Sequence, residues 1–255
     1  MPIILKSPAE IRQLRAAGRL VARTYEHLMP FVVPGVTAQE LDRRAEQFIR
    51  RHGGIPMYKG YHPPGHTPFP GTICVAINNV IVHGPPARKQ LLREGDIVGI
   101  DIGVILDGWV GDACRTYGVG AVDEASQRLM EVTRQCLQLG IAEARPGNRL
   151  GDIGAAIQQH AEGQGFSVVR EYGGHGIGRA LWEEPSVLHW GRPKTGLKLR
   201  TGMVFTIEPM INAGAPETRL LSDGWTVSTA DGSRSAQFED SIALTEQGTE
   251  ILTLP

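Results

Sequence analysis

The first fifty residues contain two stretches in which apolar positions recur every three or four residues, the period of an α-helix. The segment SPAE at 7–10 offers a capping box with proline at the first helical position, so we expect a helix to begin there and to end at Pro30. A second capping box, TAQE at 37–40, opens a shorter helix that a Gly-Gly pair at 53–54 stops. The apolar stripe of the first helix comprises Ile11, Leu14, Gly18, Val21, Tyr25 and Leu28.

Two later segments repeat the helical period, one over residues 125–144 and one that begins near residue 149. The second helix of the chain directs four arginines outward, which predicts that its other side packs on a core. The inward positions expected are Leu41, Ala45 and Phe48 in the second helix, Leu129, Val132, Cys136 and Leu139 in the third, and Ile153 and Ile157 in the fourth.

Short apolar runs separate these pairs of helices, and their length is typical of β-strands. The segment 58–71, YKGYHPPGHTPFPG, is rich in proline and glycine and is expected to be an irregular loop. The strand-like runs are TICVAIN at 72–78, VIVHG at 80–84, IVGIDIGVI at 97–105, FSVVREY at 166–172, MVFTIEPMI at 203–211, and a hairpin-like pair around TVST at 226–229 and AQFEDSIAL at 236–244.

The chain contains an internal repeat. PGVTAQEL at 34–41 echoes PGNRLGDI at 146–153, GDIVGID at 95–101 echoes GMVFTIE at 202–208, and DGW occurs at 107–109 and again at 223–225. Two halves, each with helices followed by strands, predict one pseudo-two-fold α+β domain over residues 1–255. The alternative is chance similarity between common turn motifs.

The charge balance excludes some classes of function. Lys and Arg total 26, Asp and Glu total 27, and the net charge is -1, so no global field attracts nucleic acid or an anionic membrane. Three cysteines without paired spacing argue against a disulfide framework. No leader-like start and no run of about 18 apolar residues is seen, so we expect a cytoplasmic protein.

Five residues are candidates for chemistry, although each has an ordinary structural explanation. Asp101 and Glu208 stand inside apolar strand-like runs, where a carboxylate needs a partner or a cation. Asp112 follows Asp101 after a strand, a tight turn and a return strand, but by itself it resembles a turn residue. Glu239 could face solvent on a strand. His175 lies between glycines in YGGHGIG, where a structural loop histidine is the alternative.

The five residues together favour a metal site. Four carboxylates packed without a cation would repel one another, and several would have to take up protons. Two divalent cations would remove this repulsion, and oxygen ligands with one imidazole suit Co, Mn, Fe or Zn. Two carboxylates that bridge two ions can hold a hydroxide for attack on a carbonyl.

The sequence resembles the type I methionine aminopeptidases, which have the pita-bread fold. The resemblance covers nearly the whole chain and depends on several motifs in combination. These motifs are VIVHG with His83, GIDIGVILDGWVGD with Asp101 and Asp112, YGGHGIG with His175, FTIEPMI with Glu208, and DGWTVSTADGSRSAQFED with Trp225 and Glu239.

The resemblance implies a role for each metal-site residue. Asp101 would chelate one of two divalent ions, Asp112 and Glu239 would bridge both, and His175 and Glu208 would complete the second. A metal-bridging hydroxide would attack the first peptide carbonyl, with Glu208 or its neighbourhood handling the proton.

The resemblance also implies a substrate site. His83 would contact the substrate near the scissile amide nitrogen. The methionine side chain would lie in a pocket formed by Phe69, Cys74, Leu181 and Trp225. The reaction implied is removal of the initiator methionine from nascent proteins with a small second residue. We expect a monomer that contacts the ribosome transiently and binds neither a specific nucleic acid nor a membrane.

One position departs from the family pattern. The family has a histidine before Glu-Glu-Pro, where this chain has Trp182. Tryptophan keeps one N–H donor but cannot exchange a proton at neutral pH. We hypothesise that Trp182 either donates a hydrogen bond to the substrate or lines the cleft as an apolar wall. In the second case, His62 or His66 in the 58–71 loop could supply the missing group.

Two other functions compete with this one. The first is a pita-bread peptidase that cleaves Xaa-Pro bonds, although the chain length and the separate N-terminal domain expected of prolidases count against it. The second is a catalytically impaired homologue that only binds a partner. Trp182 favours this second alternative, whereas the complete set of five predicted ligands argues against it.

Overall fold

The computed structural model describes residues 2–65, 67–87 and 89–255. Its helices are α1 (Pro8–Leu28), α2 (Ala38–Arg51), α3 (Glu124–Glu143) and α4 (Leu150–Gly163), with a short 3-10 helix at Met29–Phe31. Its strands are β1 (Ile55–Pro56), β2 (Ile73–Ile77), β3 (Val80–Val82), β4 (Ile97–Leu106), β5 (Trp109–Gly118), β6 (Ser167–Val168), β7 (Gly174–Gly176), β8 (Glu183–Val187), β9 (Val204–Ile207), β10 (Met210–Asn212), β11 (Thr218–Leu220), β12 (Val227–Thr229), β13 (Ser235–Gln237), β14 (Glu239–Thr245) and β15 (Gly248–Ile251).

Helix α1 begins as predicted. The Ser7 hydroxyl accepts a hydrogen bond from the Glu10 amide, and the Glu10 carboxylate accepts one from the Ser7 amide, which completes the capping box. Proline occupies the start of the helix, and all six residues of the predicted stripe are buried. The capping and apolar patterns therefore located this helix correctly.

One predicted inward position is wrong and another is only partly buried. In α2, Leu41, Ala45 and Ile49 are buried, and Phe48 packs partly buried against the same core. In α3, Leu139 is 39% exposed because the buried face continues through Gly140 instead. A Cβ at Gly140 would lie 2.8 Å from the Cδ1 atom of Ile157, so α3 meets α4 at the glycine.

The main sheet has nine strands. Its order is β1-β4-β5-β14-β9-β7-β8, with β2 also paired to β4 and β15 to β14, and every pair is antiparallel. Strands β5 and β14 meet at the centre, where Glu239 pairs with Cys114. Strand β4 flanks this pair on one side and β9 flanks it on the other, so the GDIVGID and GMVFTIE copies of the predicted repeat occupy matching places in the sheet. The two DGW copies do not match, because 107–109 joins β4 to β5 and 223–225 joins β11 to β12 in a separate sheet.

Each half of the sheet has its own helices and its own core. Helices α1 and α2 pack on β4 and β5 through a cluster that includes Val21, Leu41 and Ile100. Helices α3 and α4 pack against the other half through a cluster that includes Ile157 and Phe205. None of the described residues that line the cavity described below belongs to a helix. The helices therefore support the sheet, and the sheet and its loops carry the polar side chains.

Pro209 interrupts the strand-like run 203–211 between β9 and β10, the bend that a proline without a backbone donor predicts. Two strand predictions need correction. The run 166–172 forms a strand only at β6. The segments 226–229 and 236–244 do not pair with each other. Strand β12 pairs with β3 and β11, whereas β13 pairs with β10 and β14 joins the main sheet.

The stability of this packing can be tested at Gly18. A Cβ at this position would overlap the backbone carbonyl of Leu252, which cannot rotate away. We expect Gly18→Ala to lower the free energy of unfolding by about 1–3 kcal/mol, although alanine favours the helix itself. Urea unfolding followed by circular dichroism measures the change.

The matched control is Gly163→Ala, at the last residue of α4, where an added Cβ meets nothing within 4 Å. This variant should keep or slightly raise the stability, by up to about 1 kcal/mol. Equal effects at the two glycines would contradict the close packing inferred at Gly18.

Candidate active site

The hairpin β4–β5 brings two carboxylates to one face of the sheet. Its tight turn uses Asp107 and Gly108, both with positive φ (50° and 77°). The register pairs Asp101 with Cys114 and Gly103 with Asp112, so the two acids are diagonal neighbours. The predicted strand, turn and return strand are therefore confirmed.

Tyr58 from the 58–71 loop lies between these acids. Its hydroxyl is 2.6 Å from Asp101 Oδ1, and it also contacts Asp112 Oδ1. The ring packs over Gly103, where a Cβ would come within 2.8 Å of it. Because one hydroxyl carries one proton, it cannot satisfy two ionised carboxylates at once.

His175 is positioned by the glycines on both sides of it. On β7, a Cβ at Gly174 would overlap the Thr206 carbonyl, and a Cβ at Gly176 would overlap the Glu184 carbonyl. Only glycine lets the neighbouring backbone approach this closely. The motif YGGHGIG therefore reflects packing on both sides of the strand, with the imidazole between the two glycines.

The imidazole of His175 presents a free nitrogen to the carboxylates. Its Nδ1 is 3.1 Å from the Gly176 carbonyl, an arrangement in which Nδ1 donates its proton and Nε2 keeps a lone pair. Nε2 lies 3.8 Å from Asp112 Oδ2 and 3.7 Å from Glu208 Oε1. Burial lowers the pKa of His175 to about 4, so the ring is neutral and can act as a ligand.

Glu208 is held from three directions. The Thr206 hydroxyl donates to Oε1 at 2.7 Å, and the Gln237 amide lies 3.3 Å from Oε2. The backbone N–H of Glu208 donates to Nε2 of the fully buried His189 at 3.0 Å. These contacts replace the strand pairing that ends where Pro209 interrupts the sheet.

Glu239 lies at the centre of the cluster. It is 2% exposed, and its Oε1 has no hydrogen-bond partner among the residues that the structure describes. A buried carboxylate oxygen without a donor is costly unless a cation binds it. Asp112, His175 and Glu239 each offer one ligand atom, and these atoms lie within 4.8 Å of one another.

The electrostatics of the cluster also favour a bound cation. Burial raises the pKa of Asp101, Glu208 and Glu239 well above their usual range, and it raises the pKa of Asp112 to about 7. Repulsion between the carboxylates raises the pKa of Asp101, Glu208 and Glu239 further. Four carboxylates and a neutral imidazole match the oxygen and nitrogen ligands of divalent ions, so the residues fit the metal that the sequence predicts.

All eleven predicted site residues line one cavity of about 500 Å³. The five predicted metal ligands form part of the wall of this cavity. The predicted methionine pocket forms another part, in which Phe69, Cys74 and Leu181 are at most 5% exposed. The rings of Phe69 and Trp225 meet edge to face with centroids 5.2 Å apart. Cys74 pairs with Asp101 across β2 and β4, so the apolar wall adjoins the carboxylates directly.

His83 and Trp182 line the same cavity as the predicted ligands. His83 follows β3 in the left-handed region with φ of 58°, a strained conformation for a histidine, and its ring meets that of Tyr172 at 5.9 Å. Trp182 is 45% exposed, with its ring edge to face with His175 at 6.1 Å. Its indole N–H makes no hydrogen bond to any described residue, which leaves it able to donate to a substrate or to line the cleft, so both hypotheses for Trp182 stay predictions.

His62 and His66, the two loop histidines proposed to supply the group missing at Trp182, differ in what the structure says of them. His62 is exposed and is not among the described residues that line the cavity, so the structure does not place it where the group missing at Trp182 would act. His66 lies outside the described residues.

Sequence reasoning missed several supporting residues, chiefly Tyr58, Thr206, His189 and Gln237. Tyr58 stands in an irregular loop, and the others are single polar residues with no diagnostic spacing. The one available signal was a buried polar residue in an apolar run, namely Thr206 in MVFTIEPMI. Their roles follow from contacts with residues distant in the sequence.

A curled antiparallel sheet of two related halves, with a buried cluster of carboxylates and one imidazole at its centre, defines a pita-bread metallopeptidase. The chain belongs to metallopeptidase family M24, whose model matches residues 12–246.

Relatives cover the chain almost end to end. Methionine aminopeptidase A of Synechocystis is 51% identical over 99% of this chain and 98% of its own length. Methionine aminopeptidase 1 of Bacillus subtilis is 48% identical over 98% of this chain and 99% of its own. The crystal structure of methionine aminopeptidase from Rickettsia prowazekii superposes with a TM-score of 0.95 at 48% identity, over 99% of this chain and all of that one.

The chain is thus a metal-dependent aminopeptidase by family and fold. Across the described ranges, no helix combines the length and apolar character needed to cross a bilayer.

Thr206 is expected to position two predicted ligands at once. Its hydroxyl accepts a hydrogen bond from the His175 amide at 3.0 Å and donates to Glu208 Oε1. We expect Thr206→Val to weaken metal binding about 10- to 100-fold, whereas Thr206→Ser should retain it. Isothermal titration of metal-free protein with Mn²⁺ measures this.

The control is Thr133→Val, since Thr133 is equally buried but bonds the Leu129 carbonyl inside α3. This variant should bind Mn²⁺ as the unmodified chain does. If Thr206→Val bound Mn²⁺ equally well, the hydroxyl would have no positioning role.

Proposed function

We propose that this chain removes the N-terminal initiator methionine from nascent proteins whose second residue is small. The observation that carries the proposal is the direct junction of an apolar pocket with the buried carboxylate and imidazole cluster, at the Cys74–Asp101 pair of β2 and β4. A methionine side chain buried in that pocket would place the first peptide carbonyl beside the cluster. The relatives described above are methionine aminopeptidases, which supports the same activity.

The five ligands are proposed to hold two divalent ions. Asp101 would bind one ion on the side where Tyr58 joins it to Asp112. His175 and Glu208, whose ligand atoms face each other, would bind the other. Asp112 and Glu239, which lie between these two sides of the sheet, would bridge both ions. Whether the site binds Co, Mn, Fe or Zn in the cell depends on the supply of each metal as well as on the ligands.

Bound divalent ions would supply a nucleophile from water at neutral pH and polarise the carbonyl. The protein residues would do the rest. Glu208, fixed by Thr206 and Gln237, would take up a proton and deliver it to the leaving amine. His83 would contact the scissile amide nitrogen from its fixed left-handed position. Tyr58 would hold Asp101 and Asp112 at their present separation.

The methionine pocket is proposed to comprise Phe69, Cys74, Leu181 and Trp225. These residues form a largely buried apolar wall, and a straight thioether side chain can adapt to such a surface. Trp225 is also held by its indole N–H, which donates to the Thr67 carbonyl at 3.1 Å. The 58–71 loop therefore contributes to the shape of the pocket.

We further propose that the enzyme works as a monomer in the cytoplasm and meets nascent chains near the ribosome. The three cysteines are buried free thiols, a state typical of a reducing compartment.

A peptide panel tests this function against the two alternatives. With Mn²⁺ or Co²⁺ added, Met-Ala-Ser should release methionine, Met-Leu-Ser should be cleaved at least about tenfold more slowly, and Ala-Pro-Ser should stay intact. Cleavage of Ala-Pro-Ser instead would favour the Xaa-Pro peptidase. No cleavage of any peptide with any divalent metal would support the catalytically impaired alternative.

A further inference from the structure

We propose that Tyr61 and Trp182 form an aromatic clamp at the open end of the cavity, which favours substrates whose third residue carries an aromatic side chain. The proposal rests on the proposed function, because it assigns a position in the substrate to a wall of the same cavity. It makes Trp182 a specificity-determining residue rather than a defect in the family pattern.

The cavity has a closed end and an open end. Phe69, Cys74 and Leu181 are at most 5% exposed, whereas Trp182, the next residue in the chain after Leu181, is 45% exposed. A peptide with its first side chain among the buried residues reaches solvent through the more exposed part of the wall, to which the indole of Trp182 belongs. Large apolar side chains left exposed in a concave site commonly mark contact with a ligand.

Trp182 and Tyr61 pack as a pair. Their ring centroids are 5.1 Å apart and their planes are nearly perpendicular, at 88°. The edge-to-face geometry leaves apolar ring surface available to a third ring, and such contacts prefer centroid distances of about 4.5–7 Å. Tyr61 comes from the 58–71 loop, so the clamp joins two segments more than 100 residues apart.

The segment that carries Trp182 is held in place. Glu183 makes an ion pair of 2.6 Å with Lys6, whose side chain is 3% exposed. The same Glu183 accepts a hydrogen bond from the Arg179 amide at 2.9 Å. Leu181 is buried on the other side of Trp182. An aromatic side chain on an anchored segment binds with a small loss of conformational entropy.

The spacing puts the clamp within reach of the third residue of the substrate. The ring of Trp182 lies 6.1 Å from that of His175, a predicted metal ligand beside the first carbonyl. An extended peptide advances about 3.3 Å per residue, so its third residue lies about this far beyond the first. Successive side chains point to opposite sides, so the third points to the same side as the first, the side of the methionine pocket, whose Leu181 directly precedes Trp182.

Two matched peptides test the clamp, Met-Ala-Phe-Gly and Met-Ala-Ser-Gly. The unmodified enzyme should cleave the phenylalanine peptide with a kcat/KM about 3- to 10-fold higher, the effect of one good aromatic contact. Trp182→Ala should reduce this ratio to about one, whereas Trp182→Phe should keep most of it. The control is Trp190→Phe, since Trp190 bonds the Arg170 carbonyl, does not line the cavity and should leave the ratio unchanged.

Three results would overturn the proposal. One is an unmodified ratio near one, another is an unchanged ratio in Trp182→Ala, and the third is an equal loss on both peptides in Trp182→Phe. The third result would instead assign the role to the indole N–H.

Binding separates this proposal from the proposed function. Calorimetric titration of metal-free enzyme with the two peptides should show the same preference for phenylalanine and its loss in Trp182→Ala. If neither peptide were cleaved but the binding preference followed Trp182, the proposed function would fail and the clamp would stand. Equal affinities for the two peptides would overturn the clamp whatever the catalytic result.

Discussion

Glu208→Gln should lower kcat for Met-Ala-Ser by about 10²- to 10⁴-fold, the usual contribution of a general acid–base group together with loss of a charged metal ligand. Glutamine has the shape of glutamate, so it can keep a hydrogen bond from Thr206 while it loses the ability to exchange a proton. Initial rates over a range of peptide concentrations separate the effects on kcat and KM, and elemental analysis of the purified variant reports its metal content.

The matched control for this change is Glu217→Gln, at an exposed position that does not line the cavity. It should cleave the peptide at the unmodified rate. Glu208→Gln with full metal content and near-normal kcat would contradict the assignment, because it would remove Glu208 from proton transfer. If circular dichroism shows that Glu208→Gln is misfolded, Thr206→Val, which removes the hydroxyl that holds Glu208 Oε1, tests the assignment instead.

Removal of divalent metal should abolish peptide cleavage and destabilise the fold. Without a cation, burial and mutual repulsion keep the pKa of the clustered carboxylates raised, so the cluster takes up protons and leaves Glu239 Oε1 without a donor. At a metal concentration 100 times the Kd, binding stabilises the folded state by about 2.7 kcal/mol. For a chain of this length, that corresponds to a loss of about 5–10 °C in Tm after chelation.

Differential scanning calorimetry before and after EDTA treatment, and again after Mn²⁺ is restored, measures this effect. The Asp112→Asn/Glu239→Gln double variant is the control, because it lacks both proposed bridging ligands and its Tm should barely respond to EDTA. A chelator effect of equal size in the double variant would place the stabilising metal elsewhere. Full activity in metal-free protein would exclude metal-dependent cleavage.

The sequence predicted the helices and the site candidates because both are encoded locally. A capping box and a regular stripe define α1 by themselves, and DGW between two apolar runs defines the β4–β5 hairpin that brings Asp101 and Asp112 together. The repeat added that Asp101 and Glu208 belong to corresponding segments, and the sheet order agrees, since Asp101 lies in β4 and Glu208 directly follows β9, the two strands that flank β5 and β14. Assignment of metal-ligand roles depended on the family resemblance, since each residue alone had an ordinary explanation.

What the sequence could not predict depends on tertiary contacts. Leu139 has the correct helical spacing but lies outside the contact that Gly140 makes with α4. Tyr58 reaches two acids at least 43 residues away in the chain, and His189 supports the backbone of Glu208 from a segment with no regular pattern. Hydrogen bonds of this kind join residues that are distant in the sequence, so neither the hydrophobic periodicity nor the capping motifs can predict them.

Anomalous diffraction from crystals grown with Mn²⁺, recorded at the manganese absorption edge, is the most direct test of the metal centre. We expect two peaks among Asp101, Asp112, His175, Glu208 and Glu239, with Asp112 and Glu239 in contact with both. Absence of any peak in this cluster, or a peak bound by other residues alone, would contradict the proposed metal centre.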